Sequence, residues 1–203
     1  MIILLAGQKG SGKTTVTMNL AKRLGQVGIR VGGVICPGIY EHNRKIGITS
    51  HYLASGHEEI LGLEVSLAGK PVPEPTGPDT FSYGRWEFRQ SALAAADTAI
   101  LKDIEASLFV FVDEIGPLEL DHGIGMSRTL ARLDADKDIN TCTIVVCIRQ
   151  DLSQALTERW PGSPVVELNG HGQAAISRAE EAILTVVGGK LTSTHSAPGN
   201  AQP

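Results

Sequence analysis

Met1–Thr15 reads MIILLAGQKGSGKTT, and the rest of the chain is organised around this stretch. Its opening, Ile2–Ala6, is a short unbroken apolar run, the pattern of a strand covered on both faces in a parallel sheet. Gly7–Thr14, GQKGSGKT, fits G-x-x-x-x-G-K-[ST], and the residues that follow carry Val16, Leu20, Leu24 and Val27 at helical spacing. Strand, glycine loop and helix form the context that this motif requires.

The spelling of the loop has a chemical reason. Glycines at 7, 10 and 12 let the backbone take positive φ and approach a ligand closely, so that successive N–H groups point at phosphate oxygens. The helix N-terminus adds partial positive charge. Lys13 would bridge the β- and γ-phosphates as a point charge, and the Thr14 hydroxyl would complete the shell of a Mg²⁺ ion touching the same phosphates. The expected nucleotide-binding set is therefore Gly7, Gln8, Lys9, Gly10, Ser11, Gly12, Lys13, Thr14 and Thr15. Thr15 is a neighbour without a ligand role of its own.

A chain of 203 residues suffices for one α/β domain with a full core. With 18 basic against 22 acidic residues and no basic cluster, a general nucleic-acid surface is not expected; polyphosphate is attracted locally, at the loop. Cys36, Cys142 and Cys147 form no C-x-x-C pair and sit in or beside apolar runs, which suits reduced core thiols in a cytoplasmic protein. The first apolar run is too short for a signal-peptide core and lacks a basic start, and no stretch approaches the ~20 apolar residues of a membrane span. No membrane association is expected.

Ile29–Cys36 reads as a second strand. Ile39–Tyr40 and Lys45–Leu53 look like arms of a hairpin around Glu41-His42-Asn43-Arg44, placed either to cover the nucleotide or to widen the sheet. His51, His57, Glu58 and Glu59 match no zinc spacing and read as solvated groups. Ile60–Leu67 alternates weakly, as a strand would. Lys70–Asp79 holds four prolines and reads as a stiff extended segment. Phe81–Phe88, FSYGRWEF, concentrates aromatics in a chain with only 4% of them, and suits a satellite core better than a base-stacking platform. Arg89–Ala106 is an alanine-rich helix.

The second phosphate-site element follows. Leu108–Val112, LFVFV, is a buried-strand run that ends in Asp113-Glu114, and acidic residues at that end of a strand belong on the rim where open α/β sheets bind ligands. Asp113 would hold the magnesium, and Glu114 would orient and deprotonate the attacking water. Gly125–Asp136 reads as a helix. Thr141–Ile148 is another buried strand, delivering Arg149-Gln150 to the same rim; Arg149 either meets the γ-phosphate as a cis-acting cation or pairs with Asp151 or a surface carboxylate. The expected catalytic set is Lys13, Glu114 and Arg149, and the expected metal ligands are Thr14 and Asp113. Leu152–Trp160 is a short helix, Pro164–Leu168 a last strand and Gln173–Val187 a closing helix. One NTPase domain is expected over 1–188 and a disordered tail over 189–203.

Val112–Leu120, VDEIGPLEL, together with GQKGSGKTT and the hairpin VGGVICPGIYEHNRKIGI at 31–48, resembles the family of small P-loop nucleoside triphosphatases that includes thermophile enzymes and a human cancer-related nucleoside triphosphatase. The likeness runs from Met1 to about Gly170, and the D-E-I-G-x-x-E-L string is its most particular part. It implies Mg²⁺-dependent hydrolysis of several nucleoside triphosphates, ATP or GTP among them. The implied fold is a three-layer α/β P-loop NTPase: a mostly parallel, RecA-like sheet with helices on both faces and an added β-hairpin. In such a sheet the strand ending at Arg149 lies between the first strand and the one ending at Asp113. Glu119 becomes a secondary candidate. The proline-rich and FSYGRWEF segments depart from the family pattern, so base recognition is not carried over.

Two other functions use the same loop. A nucleotide or small-molecule kinase would need an arginine-rich lid, for which only Arg44, Arg85, Arg89 and Arg149 are available, and these are scattered. A slow nucleotide-dependent switch would act through a protein partner, with the hairpin or proline loop as its responsive surface. The D-x-x-G pattern of Asp113 and Gly116 is shared with GTP switches, but no N-K-x-D or T-K-x-D run reads guanine. A partitioning-type signature lysine would occupy position 8, which is Gln8.

Overall fold

Ile2–Gly7 (β1) lies in the sheet between two other parallel strands, so its residues are covered from both sides and an apolar run rather than an alternation forms it. The computed structural model describes residues 1–65, 74–135 and 142–193. In chain order the elements are β1, α1 (Lys13–Gln26), β2 (Val31–Ile35), β3 (Gly38–Glu41), β4 (Arg44–Tyr52), β5 (Glu58–Glu64), β6 (Glu74–Pro75), β7 (Thr80–Tyr83), β8 (Trp86–Arg89) and α2 (Gln90–Ala106). Then follow β9 (Phe109–Ile115), α3 (Pro117–Leu120), α4 (Ser127–Ala135), β10 (Thr143–Arg149), a 3₁₀ turn at Gln150–Leu152, α5 (Ser153–Arg159), β11 (Val165–Leu168) and α6 (Gln173–Ser193).

The sheet runs β11-β1-β10-β9-β2-β4-β5-β8-β7-β6, with β3 paired to β4 at the side. Its first five strands are parallel, and β10 lies between β1 and β9, so the strands that end in Gly7, Arg149 and the Asp113-Glu114 pair are neighbours. One face is packed by Ala96, Ile100 and Ile104 of α2, Leu130 and Leu133 of α4, and Leu156 of α5. The other is packed by Val16, Leu20 and Leu24 of α1 and by Ala175, Ile176, Ala179 and Ile183 of α6. These are the three layers that continuous apolar strands demand.

The expectation of a mostly parallel sheet is corrected. Among the described residues, six of the ten strand pairings are antiparallel, all of them involving β3 to β8 or the junction of β2 with β4. The reason is connection length: a parallel pair needs a crossover of a dozen or more residues, whereas β3 and β4 are joined by two residues and so are β7 and β8. His42 and Asn43 at the first of these turns both have positive φ, the geometry that matches a two-residue loop to strand twist. The hairpin expected around Glu41–Arg44 is therefore present, and it widens the sheet because β4 pairs with β2 and β5.

FSYGRWEF forms β7 and β8. Phe81 and Phe88 stack with ring centroids 5.7 Å apart and join Leu61, Ala92, Leu93 and Leu118 in a separate buried cluster, the satellite core that the sequence suggested. Of the proline-rich segment, Lys70–Pro73 lies outside the described residues, while Glu74–Pro75 forms the edge strand β6. Helix α6 continues to Ser193, past Gly188 and Gly189, where a tail was expected to begin; glycine weakens a helix by about 1 kcal/mol relative to alanine without forbidding it. The remainder of that expected tail, 194–203, lies outside the described residues.

Candidate active site

The loop between β1 and α1 follows its spelling. Gly12 sits at φ 105°, a left-handed conformation that a side chain would strain, and hands the chain into α1, whose first residue is Lys13. Gly7 is closed on one side for a different reason: a Cβ there would stand 2.7 Å from Ser11 Oγ and 3.2 Å from the Leu168 side chain. Gln8, Lys9 and Gly10 are exposed at the crest, Ser11 is buried, and Thr15 is exposed. Lys13 is 6% exposed, and its ammonium donates to the Gly7 carbonyl at 2.9 Å and the Gln8 carbonyl at 3.2 Å.

The acidic couple arrives on the neighbouring rim. Asp113 pairs in register with Cys147 of β10, and the next partner, Ile148, faces Ile115, so Glu114 is the extra residue of a bulge. A bulge breaks strict alternation, which is how two consecutive carboxylates serve one rim rather than opposite faces. Glu114 Oε2 lies 3.8 Å from Lys13 Nζ, and Glu114 Oε1 accepts from Arg149 Nε at 3.1 Å. The carboxylate that engages Arg149 is thus Glu114.

Asp113 is buried and accepts from the Cys36 backbone N–H at 3.2 Å through Oδ2. Burial raises its carboxyl above the ordinary range, the Cys36 amide opposes that rise, and the charge of Glu114 adds to it; the Thr14 side chain and the Lys13 charge act in the lowering direction. Hard oxygen donors from Thr14 and Asp113, with a buried carboxylate whose charge calls for a cation, are a donor set that fits a divalent ion such as Mg²⁺. Burial, reinforced by Asp113, pushes the Cys36 and Cys147 thiols well up, so both stay protonated beside the site.

Glu119 holds the chain that leaves the site. It is buried, Oε2 accepts from Gly116 N at 2.9 Å, and Oε1 accepts from Met126 N at 3.2 Å. Burial raises its carboxyl to about 7 against the lowering effect of those amides. Gly125, at φ 78°, makes room for it, since a Cβ there would stand 2.1 Å from Oε1.

One charged group reaches this region from outside both motifs. Lys45, in β4, is half-buried, and burial lowers its affinity for a proton while Asp113, Cys36 and Glu114 raise it and Lys9 lowers it. Sequence reading did not assign it; the available signal was a lysine in a hairpin that begins where β2 ends at the ligand-binding rim. His51 instead meets Glu58 at 2.8 Å, and His57 lies tilted against Tyr52 with ring centroids 5.5 Å apart. A groove of about 490 Å³ between α1 and β4, lined by Met18, Lys22 and His51 among others, contains no residue of either motif.

The family model for NTPases matches residues 2–159, across both motifs and the hairpin. The chain belongs to this NTPase family. Among its relatives, the nucleoside-triphosphatase THEP1 of Thermofilum pendens is 31% identical over 67% of this chain and 69% of its own length. The protein of the same name from Methanopyrus kandleri is 33% identical over 58% of this chain; the match spans 59% of that relative, less than two thirds. Among solved structures, THEP1 from Aquifex aeolicus superposes with a TM-score of 0.61 at 20% identity, covering 92% of this chain and 98% of that one. A human cancer-related nucleoside triphosphatase gives 0.63 at 17% identity, covering 91% and 96%. At these identities the two structures bear on the fold of this NTPase, and they share it.

Proposed function

We propose that this member of the NTPase family hydrolyses nucleoside triphosphates to diphosphate and phosphate, with the chemistry carried by Lys13, Thr14, Asp113, Glu114 and Arg149. The observation that supports this most directly is Glu114, set on a bulge beside Asp113 and held between Lys13 at 3.8 Å and Arg149 at 3.1 Å. A carboxylate so placed faces the phosphate loop from the neighbouring rim.

In this reading the amides from Gly7 to Thr15 cradle the phosphate chain, and Lys13 leaves its loop carbonyls to neutralise the β- and γ-oxygens. Thr14 and Asp113 would hold Mg²⁺, which when bound would supply charge neutralisation for the triphosphate. Glu114 orients a water and accepts its proton; Arg149 exchanges Glu114 for the charge developing on the γ-phosphoryl group. Residues 1–188 act as one NTPase domain. The protonated, reduced thiols suit a cytoplasmic setting, and no helix among the described residues is long and apolar enough to cross a membrane.

The scatter of the arginines supports hydrolysis over a kinase reading. Arg44 and Arg85 both engage Glu64, at 2.7 and 3.4 Å, on the antiparallel side of the sheet, whereas Arg149 stands on the rim of the parallel strands, so these three do not form one arginine-rich cluster. The deciding experiment is phosphate release from ATP, GTP, CTP and UTP with Mg²⁺, comparing the parent with Glu114→Gln. Turnover is expected to fall by about 10²-fold or more in the variant while nucleotide still binds, as for loss of a general base. Equal turnover removes Glu114 from the reaction, and phosphoryl transfer to an added nucleoside monophosphate with little free phosphate establishes a kinase.

A further inference from the structure

The β3–β4 hairpin does more than extend the sheet. Cys36, whose amide holds Asp113, is followed at once by Pro37 and Gly38, and the Pro37 carbonyl accepts from Thr49 N at 3.0 Å and Thr49 Oγ1 at 3.4 Å. The hairpin is thereby fastened to the backbone that holds the acidic rim. Within it, the Lys45 stem lies directly over Gly38: a Cβ on that glycine would stand 2.8 Å from Lys45 Cε and 3.1 Å from Cδ. Any larger residue at 38 would displace the stem, so Gly38 opens the channel along which Lys45 runs.

The far end of Lys45 is held as well. Its ammonium lies 5.7 Å from the centre of the Trp86 ring, and the Arg85 guanidinium lies 4.6 Å from the same ring. Arg85 and Arg44 both pair with Glu64, whereas Lys45 makes no ion pair among the described residues. Its charge acts on Asp113 and Glu114 on one rim and on Lys9 at the crest of the glycine loop. The stem itself lies over Gly38, two residues beyond the Cys36 amide that holds Asp113 at 3.2 Å, so Lys45 belongs to the backbone that borders the acidic rim. A lysine on a flexible four-carbon stem, held by a contact worth only about 0.5–2 kcal/mol, exchanges that contact readily for a charged oxygen.

We propose that Lys45 is a further catalytic residue: carried by the hairpin that borders the acidic rim, it leaves the Trp86 ring to contact the terminal phosphate of a bound nucleoside triphosphate. The inference rests on the reading of Gly7–Thr15 as the triphosphate cradle, and deepens it by giving the hairpin a chemical role. Because the contact is to the terminal phosphate, it distinguishes triphosphate from diphosphate.

The test replaces the charge and keeps the stem, with Lys45→Met, alongside Lys45→Arg and a Lys13→Ala control. Binding of a β,γ-imido triphosphate and of the diphosphate is measured by calorimetry with Mg²⁺, together with kcat, KM and the thermal midpoint. Lys45→Met is expected to weaken the triphosphate analogue by about tenfold or more, as for loss of a charge-assisted contact, to leave the diphosphate within about twofold, and to keep the parent's midpoint. Lys45→Arg is expected to restore most of the loss. Unchanged binding of both nucleotides by Lys45→Met, or an equal loss of both, overturns the proposal while leaving the cradle intact if Lys13→Ala binds neither. Parental binding by Lys13→Ala overturns the cradle reading, and this inference with it.

Discussion

Arg149 Nε donates to Glu114 Oε1 across 3.1 Å, linking the carboxyl ends of two adjacent parallel strands at the rim where Lys13 stands. Both partners are a third or more exposed, so the pair contributes little to stability. Arg149→Ala is expected to lower kcat by on the order of 10³-fold, with the thermal midpoint moved by no more than a degree or two. Steady-state phosphate release beside a melting curve measures both, and an unaltered kcat would remove Arg149 from the reaction.

Asp113 invites a prediction of opposite sign for activity and stability. Its folded-state carboxyl is raised chiefly by burial, so its ionised form opposes folding: the stabilising contribution is complete below the unfolded value near 3.8 and is lost as pH rises through the folded one. Asp113→Asn keeps an acceptor for the Cys36 amide and removes the buried charge. In EDTA at neutral pH the variant is expected to melt above the parent. Its Mg²⁺ requirement for half-maximal turnover is expected to rise about tenfold or more, with kcat depressed. A variant less stable than the parent in EDTA would contradict this account.

Gly12 carries the backbone strain of the loop. Alanine at φ 105° costs about 1–2 kcal/mol, and its methyl would press on Ile176 of α6 at 3.4 Å. Gly12→Ala is expected to lower the unfolding free energy by about that amount and to weaken nucleotide binding by more than tenfold, because the amides that follow turn away from the phosphates. Denaturant titration and calorimetry separate the two effects.

Most of this arrangement was legible in the sequence where one physical requirement acted alone. The strand, loop and helix of 1–26 followed from apolar periodicity and from the glycine spacing of the loop, and LFVFVDE announced a buried strand ending in acid. The sheet's direction beyond β2 was less legible: the arms Ile39–Tyr40 and Lys45–Leu53 read as a hairpin, but nothing in Ile60–Leu67 or FSYGRWEF names a partner strand, so the extent of the antiparallel half did not show. Arg149 had two readings since position on a rim does not name a partner; the structure pairs it with Glu114, a carboxylate placed by a bulge that is invisible in letters. Lys45 escaped because its place depends on Gly38 and on a ring more than forty positions away. The short helix α3 was hidden by Gly116-Pro117, which reads as a break although proline suits a first helical turn.

Glu119 is the last group whose chemistry sets an expectation, and it joins loop geometry to pH. Its two oxygens accept from Gly116 and Met126, the two ends of the segment that follows the acidic couple, at 2.9 and 3.2 Å. With a folded-state value of about 7 against 4.5 when unfolded, the carboxyl binds its proton more tightly in the native protein, so stability is greatest below about 4.5 and declines as pH rises to about 7. At one pH unit per 1.36 kcal/mol, that decline amounts to roughly 3 kcal/mol. Gln at this position offers one acceptor and one donor to two amides, leaving one N–H unpaired at a cost of about 1–3 kcal/mol, yet it does not titrate. Glu119→Gln is therefore expected to be less stable than the parent at pH 5 and to close the gap by pH 8. Chemical denaturation at the two pH values measures it, and a parent whose advantage grows with pH would show that the amides, rather than burial, govern this carboxylate.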